Sequence, residues 1–87
     1  NLETFYWKGN KIIVVQNKEA QLPVLGEIDY LVVSRNSVSP KAIENLSVRK
    51  VILDGSNSRS YVNRWRKVVD EERLHAVLDE GAFVLTQ

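Results

Sequence analysis

The sequence contains no cysteine and no methionine, and it has a single histidine, His75. Without cysteine it can form neither disulfides nor the common cysteine-based zinc sites. One histidine is also too few for the converging ligands of a hydrolytic metal centre. No apolar run approaches the ~18 residues of a membrane-spanning helix. We therefore expect no resident metal, no cofactor, no catalytic group and no transmembrane helix in these residues.

Size and composition are those of one small globular domain. The chain has 87 residues, of which 44% are hydrophobic and 26% charged, so we expect a single soluble domain over residues 1–87. Its net charge of +1 gives no overall attraction for nucleic acid or membrane, so any anion site must be local. Because the chain starts at Asn1 and lacks methionine, we expect an excised piece of a longer protein.

The first half of the chain alternates predicted strands with one short helix. Thr4 to Asn17 is typical of a β-hairpin that turns at Lys8-Gly9-Asn10. Continuous apolar runs predict two strands that are covered on both faces, Ile28 to Ser34 and Arg49 to Asp54. Between them, Ser39 as N-cap predicts a short helix over Pro40 to Leu46.

A longer helix is predicted over Arg59 to Glu72, with Ser58 as its N-cap. Its apolar stripe at helical spacing consists of Tyr61, Val62, Trp65, Val68 and Val69.

Two short strands are expected to close the chain, Leu74 to Leu78 and Ala82 to Leu85, joined by a hairpin turn at Asp79-Glu80-Gly81. The predicted fold is therefore a small α/β domain with a mixed sheet in the order β-β-β-α-β-α-β-β. Its central strands would be parallel, with antiparallel edges contributed by the two hairpins.

Two polar loops follow the central strands, over residues 34–37 and 54–59. Because sites in open α/β sheets cluster at the carboxyl ends of parallel strands, we expect these loops to meet and to form a phosphate or DNA site. The candidate ligands are Arg35, Asn36, Asp54, Ser56, Asn57, Ser58 and Arg59. The alternative is a well-capped turn, since the GxxxxGK[ST] phosphate-loop pattern is absent.

The long predicted helix has a charge order that the helix macrodipole disfavours. Its first half carries the basic residues Arg59, Arg64, Arg66 and Lys67, and residues 70–72 at its end are acidic. A local rule broken without evident gain indicates a functional site. Serine–histidine catalysis is not expected, because His75 begins its strand and should lie at the opposite edge from Ser34 and Ser56.

Three segments of the sequence resemble the C-terminal soluble region of ComEC-type competence proteins, particularly those of Bacteroidetes. They are IDYLVVSRN (Ile28 to Asn36), KVILDGSNSRSYVNRW (Lys50 to Trp65) and EGAFVL (Glu80 to Leu85). Such proteins carry incoming single-stranded DNA into bacteria. The resemblance implies a soluble domain of an inner-membrane protein on the extracytoplasmic side. Its partners would be the transmembrane part of the same protein and single-stranded DNA, with no small-molecule cofactor.

Many members of that family end in a metallo-β-lactamase-like domain, whose last portion has a similar order of elements. The positions that match its metal-binding loops here read Ser34-Arg35-Asn36 and Ser56 to Ser60, without the histidines. The upstream HxHxDH-type motif is also absent. The resemblance therefore implies a lactamase-like half-domain that holds no metal and is not an enzyme.

Three functional hypotheses follow. The first is a non-catalytic domain that binds DNA or phosphate weakly through the two loops. The second is a structural domain that packs on the parent transporter through the free face of its sheet; an apolar free face without a basic edge would favour it. The third, part of a metal-dependent phosphoesterase, requires the rest of the parent to supply every metal ligand.

Overall fold

A five-stranded sheet organises the domain, with its strands side by side in sequence order. The computed structural model of the chain describes residues 2–18, 22, 26–44 and 46–81. The strands are β1 (Leu2–Trp7), β2 (Asn10–Val15), β3 (Glu27–Val33), β4 (Ser47–Leu53) and β5 (Leu74–Ala76). The α-helices are α1 (Arg59–Arg66) and α2 (Val77–Glu80), and two 3₁₀ helices span Pro40–Ile43 and Glu71–Arg73.

The predicted hairpin at the start of the chain is confirmed. β1 and β2 pair antiparallel, with Trp7 opposite Asn10. Lys8 and Gly9 form the two-residue turn, with φ angles of 48° and 83°. Both values lie in the left-handed region that such a turn needs and that glycine adopts at little cost. Asn10, predicted in the turn, is instead the first residue of β2.

The remaining strands run parallel, as expected of the central part of the sheet. β2 pairs with β3, β3 with β4, and β4 with β5, each in parallel. Val33 of β3 lies between Val15 and Leu53 in this register, and Leu53 lies opposite Ala76. The mixed sheet is therefore confirmed, while the predicted last strand at 82–85 lies outside the described residues.

One face of the sheet, which we call the inner face, carries the core. Its side chains are Ile13, Val15, Leu31, Val33, Val51, Leu53, Leu74 and Ala76, and each is at most 3% exposed. Val38 and Ile43 from the β3–β4 connection and Tyr61, Val62 and Trp65 from α1 belong to the same buried cluster. The β3–β4 connection and α1 therefore pack on this face.

The opposite, outer face is also apolar over its central strands. Its apolar side chains are Phe5, Ile12, Val14, Tyr30, Val32 and Ile52. Tyr30 and Ile52 are 9% and 6% exposed but do not belong to the core cluster, and Phe5 on the edge strand is 49% exposed. A sheet with one wet face would alternate apolar and polar residues, so the continuous apolar runs of the sequence are explained by this second face.

Both predicted helices are shorter than expected. The first is a 3₁₀ helix over Pro40–Ile43, with Ser39 capping the amide of Lys41 as predicted. The second, α1, ends at Arg66 rather than Glu72. Two adjacent β-branched residues follow it and lower helix propensity. Val69 is buried in the core, whereas Val68, predicted on the buried stripe, is 54% exposed.

The predicted strand Leu74 to Leu78 is also wrong in its second half. β5 ends at Ala76, and Val77–Glu80 forms one helical turn instead of leading into a hairpin. The carboxylate of Glu80 accepts a hydrogen bond from the Ala76 amide at 2.8 Å. Because this side-chain bond occupies an amide that a longer strand could use in pairing, it favours the helical turn over a hairpin.

A buried tyrosine joins α1 to the β3–β4 connection. The Tyr61 hydroxyl donates a hydrogen bond to the Val38 carbonyl and accepts one from the Val38 amide at 3.1 Å. Burial raises the pKa of the Tyr61 phenol above its ordinary value, against weaker lowering by Trp65, Val38 and Arg64. The Trp65 indole N–H lies close enough to the phenol to lower its pKa. It forms no well-aligned hydrogen bond with a described residue.

Removing this hydroxyl should destabilise the domain. Tyr61→Phe leaves the Val38 amide and carbonyl without a partner in a buried position, which costs about 1–3 kcal/mol of unfolding free energy. Urea unfolding measures this loss of unfolding free energy. Tyr6→Phe is the matched control, since Tyr6 is 73% exposed, and it should change the unfolding free energy by less than about 0.5 kcal/mol. Equal effects of the two substitutions would contradict this role of Tyr61.

Candidate functional site

The two predicted loops lie together at the carboxyl ends of β3 and β4. The amide of Asp54 donates to the Val33 carbonyl at 3.1 Å, and the amide of Ser34 donates to the Val15 carbonyl at 2.9 Å. These backbone bonds carry the parallel pairing one residue beyond each strand. The expectation that residues 34–37 and 54–59 meet at one edge of the sheet is therefore correct.

An aspartate occupies the centre of this edge. One oxygen of the Asp54 carboxylate accepts a hydrogen bond from the Ser34 hydroxyl. The other accepts from the Ser56 amide at 3.0 Å and from the Ser56 hydroxyl at 2.5 Å. Of the two hydroxyls among the candidate ligands, that of Ser56 therefore donates to a negative side chain of the protein itself, as does the neighbouring hydroxyl of Ser34.

Asn57 is the most buried of the predicted site residues, at 3% exposure. Its side-chain amide nitrogen donates to the Val33 carbonyl at 2.8 Å and to the Asp54 carbonyl at 2.9 Å. Its side-chain oxygen accepts from the Asn36 amide at 2.8 Å. One asparagine thus binds the end of β3 and both loops.

Reciprocal bonds complete what we call the two-loop network, formed by residues 34–36, Asp54 and residues 56–58. The Ser58 amide donates to the Asn36 side-chain oxygen at 2.9 Å, and the Asn36 side-chain nitrogen donates to the Ser58 hydroxyl at 3.3 Å. The Arg35 amide donates to the Ser56 hydroxyl at 2.8 Å. These bonds hold Arg35 and Asn36 at φ angles of 55° and 54°, a left-handed conformation that costs non-glycine residues free energy.

Arg59, the last predicted ligand, binds a carboxylate outside the network. Its guanidinium lies 2.5 Å from one oxygen of Asp79, and Arg66 lies 2.5 Å from the other. Hydrogen bonds from Arg59 and then Arg66 lower the pKa of Asp79. Sequence analysis missed this pair of contacts because it placed Asp79 in a hairpin turn. The available signal was the seven-residue spacing of the two arginines, which puts them on one side of a helix.

The charge order of the long predicted helix indicated a site, but that interpretation changes because α1 ends at Arg66. Arg64 and Arg66 lie in its last turn, where the macrodipole favours positive charge. The acids that follow lie at the start of the second 3₁₀ helix, with Glu71 and Glu72 in its first turn. Arg59 in the first turn of α1 is still disfavoured by the macrodipole, but its charge is paired with Asp79, so this argument for a phosphate site falls away.

The position predicted for His75 is also wrong. Since β5 has only three residues, His75 lies opposite Ile52, two residues before Asp54, and not at the far edge of the sheet. Its Nε2 lies 2.7 Å from the Gly81 carbonyl oxygen.

Over the described residues, no group of three or more histidine, cysteine, aspartate or glutamate side chains could hold a metal ion. In the same part of the chain, no helix combines the length and the apolar character needed to cross a membrane.

Removing the Asn57 side chain should weaken the whole edge. Asn57→Ala leaves the Asn36 amide without its partner and removes one of the two donors to the Val33 carbonyl, and we expect a loss of about 1–3 kcal/mol in unfolding free energy, measured in urea. Asn63→Ala is the control. Asn63 is exposed on α1, so its removal should change stability by less than about 0.5 kcal/mol. If Asn57→Ala is as mild as the control, the network does not stabilise the fold.

The Asp79 contacts predict a dependence on acid. Because the folded state lowers the pKa of Asp79, its contribution to stability is present above the unfolded pKa of about 3.8 and is lost as pH falls through the folded value. Asp79→Asn should therefore lower the urea midpoint at pH 7 and converge with the parent chain near pH 2. Asp70→Asn makes the same charge change at a carboxylate without a capping bond. Its urea midpoint should change with pH in the same way as that of the parent chain. If the difference in urea midpoint between Asp79→Asn and the parent chain did not change with pH, the ion-pair explanation would be refuted.

Comparison with known proteins gives one match. The family model described as the ComEC C-terminal domain matches residues 1–87. No curated protein and no solved structure matches significantly. The lactamase-like half-domain that the resemblance implies therefore stays a prediction, whereas the family itself is confirmed over the whole sequence. The chain belongs to the ComEC C-terminal domain family, whose parent proteins are membrane proteins that take up DNA during competence.

Proposed function

We propose that this domain is a non-catalytic docking module, which packs through the outer face of its sheet onto the rest of its DNA-uptake protein. One observation supports the proposal above others: the sheet is apolar on both faces, and among the described residues the β3–β4 connection and α1 belong to the core on the inner face. A surface of this kind is typical of a protein interface.

The outer face has the composition of an interface centre. Its apolar side chains form two neighbouring rows across four strands, Phe5-Ile12-Tyr30 and Val14-Val32-Ile52. Charged residues border these rows: Glu3 lies beside Val14 on the edge strand, and Lys50 follows Tyr30 on β4. The Arg49 guanidinium lies 5.5 Å from the centre of the Tyr30 ring. An apolar centre with a polar rim matches the usual anatomy of such contacts.

The parent chain is the occupant that we favour. A C-terminal domain family is part of a larger competence protein, so the remainder of that protein is present at high local concentration. Phe5 is the clearest indicator, because a phenylalanine that is 49% exposed on an edge strand gains free energy when a partner covers it.

The geometry of the loops supports the non-catalytic part of the proposal. Every hydroxyl and amide side chain of the two-loop network is committed to another group of the protein. Divalent-metal-dependent cleavage of DNA by the full-length parent, abolished by Asp54→Asn, would overturn this part and favour the phosphoesterase hypothesis.

Photocrosslinking in the full-length parent tests the docking role. A benzoylphenylalanine at position 5 should crosslink to another part of the parent chain, identified by peptide mapping, because Phe5 belongs to the outer face. The same group at position 6 is the matched control. Tyr6 is the neighbouring aromatic residue, points to the other side of the sheet and is 73% exposed, so it should give at least fivefold less of that product. Equal crosslinking from both positions, or none from position 5, would contradict docking through this face.

A second candidate is the predicted phosphate contact at the two-loop network. Arg35 supports it, since its exposed guanidinium forms no ion pair or hydrogen bond with a described residue. The carboxylate of Asp54 in the same network opposes it electrostatically. Amide shifts at residues 35–36 and 56–59 on adding single-stranded DNA, abolished by Arg35→Gln, would support this candidate.

The family analogy also leads us to propose the extracytoplasmic side of the membrane for this domain. Proteolysis of the domain in intact spheroplasts tests it: cleavage without lysis supports that side, and cleavage only after lysis contradicts it.

A further inference from the structure

A basic groove lies between the first 3₁₀ helix and α1, away from the two-loop network and the outer face. It has a volume of about 460 Å³ and is lined by Ser39, Pro40, Lys41, Arg64, Lys67 and Val68. Three of these six residues are cations and none is acidic. In a domain of net charge +1, that is a strong local excess of positive charge.

Within the part of the chain that the structure describes, the three cations of the groove are not used in ion pairs. Arg59 and Arg66 on the same helix both bind Asp79, and Arg49 lies 3.8 Å from Asp29. In contrast, the side chains of Lys41, Arg64 and Lys67 form no salt bridge with an acid of the described residues. Helix α1 therefore presents paired arginines toward Asp79 and unpaired cations toward the groove.

The groove is held in shape by the core beneath it. The hydrogen bonds between Tyr61 and Val38 join α1 to the segment that leads into Ser39 and Pro40. Arg64 lies near enough to Tyr61 to act on its pKa. Three residues apart on one helix surface, Arg64 and Lys67 are neighbours, and Lys41 faces them from the other wall. These bonds hold the backbone segments that carry the three cations next to each other.

We infer that this groove binds the phosphate backbone of single-stranded DNA. Positive charge without acid in the lining is complementary to a polyanion. A flexible single strand can adapt its backbone to cations on both walls of the groove, which a stiff duplex does less readily. No aromatic residue lines the groove, so base stacking is absent and binding should be independent of sequence. The inference does not depend on docking through the outer face.

The expected interaction is weak and salt-dependent. Three phosphate contacts on a single strand predict a slope of about −2 in a plot of log affinity against log salt, from about −0.7 per contact. Each contact that is removed should make the slope about 0.7 shallower.

The test is a titration of the isotopically labelled 87-residue chain with a dT12 oligonucleotide at several salt concentrations, followed by backbone amide shifts. We expect shifts at Ser39, Lys41 and residues 64–68 and a slope near −2. Lys41→Gln, Arg64→Gln and Lys67→Gln should each weaken binding and reduce the slope. The control is Lys8→Gln, which makes the same charge change in the β1–β2 turn, outside the groove, and should leave both unchanged. Amide spectra establish that each variant is folded.

Three outcomes would overturn the inference. Silence at about 20 mM salt with a folded chain would show that the groove does not bind DNA. Shifts confined to residues 35–36 and 56–59 would assign DNA to the two-loop network. Binding to vesicles of phosphatidylglycerol and phosphatidylcholine, lost in Lys41→Gln while dT12 gives no shifts, would assign the groove to a membrane surface. None of these results changes the crosslinking from position 5, so the docking proposal is tested separately.

Discussion

The side-chain amide of Asn57 is the interaction on which the edge of the sheet depends. Where β3 and β4 end, their backbone groups leave the parallel ladder and need new partners. Asn57 supplies them, because its nitrogen binds the last carbonyl of β3 and its oxygen binds the Asn36 amide. The start of α1 is fixed by the same loop, since Ser58 both caps the helix and bonds to Asn36. Sheet, loops and helix are therefore joined through a handful of short polar side chains.

This arrangement explains why a polar loop at the carboxyl end of a strand is ambiguous in a sequence. Serine, asparagine and aspartate are the residues that bind phosphate, and they are also the residues that satisfy a turn. In this protein the two left-handed residues, Arg35 and Asn36, are held by acceptors from the opposite loop, the Ser56 hydroxyl and the Asn57 side-chain oxygen. The same composition would appear in a sequence that bound a ligand there. Only the partner of each polar group distinguishes the two cases.

Periodicity and turn chemistry predicted most of the fold, because those signals are local. The hairpin at Lys8-Gly9, the two central strands and both serine caps all depend on residues a few positions apart. The meeting of the two loops was also predictable, since parallel strands bring their carboxyl ends to one edge. The end of β5 was not predictable from such local signals. It depends on Glu80 reaching the Ala76 amide and on Asp79 meeting two arginines of α1, and the second of these is a contact between distant parts of the sequence.

The position of one helix end also decided how the charges were interpreted. A helix running to Glu72 would place basic residues in its first half and acids at its end, against its dipole. Because α1 ends at Arg66, Arg64 and Arg66 lie in its last turn, where the helix dipole favours positive charge. The adjacent β-branched residues Val68 and Val69 were the local sign of that end. Boundary errors of a few residues are therefore enough to turn an ordinary charge pattern into an apparent functional one.

Near-neutral net charge is compatible with a role in handling DNA, because charge acts locally and tethering changes the affinity that is needed. Asp79 neutralises Arg59 and Arg66 on one side of α1, which leaves Arg64 and Lys67 as a separate basic surface beside Lys41. A strand that makes three phosphate contacts would bind such a surface weakly from free solution. A domain fixed within a DNA-uptake protein meets that strand at a much higher effective concentration. Weak, sequence-independent contact also lets the strand move on, which a tightly binding surface of high net charge would hinder.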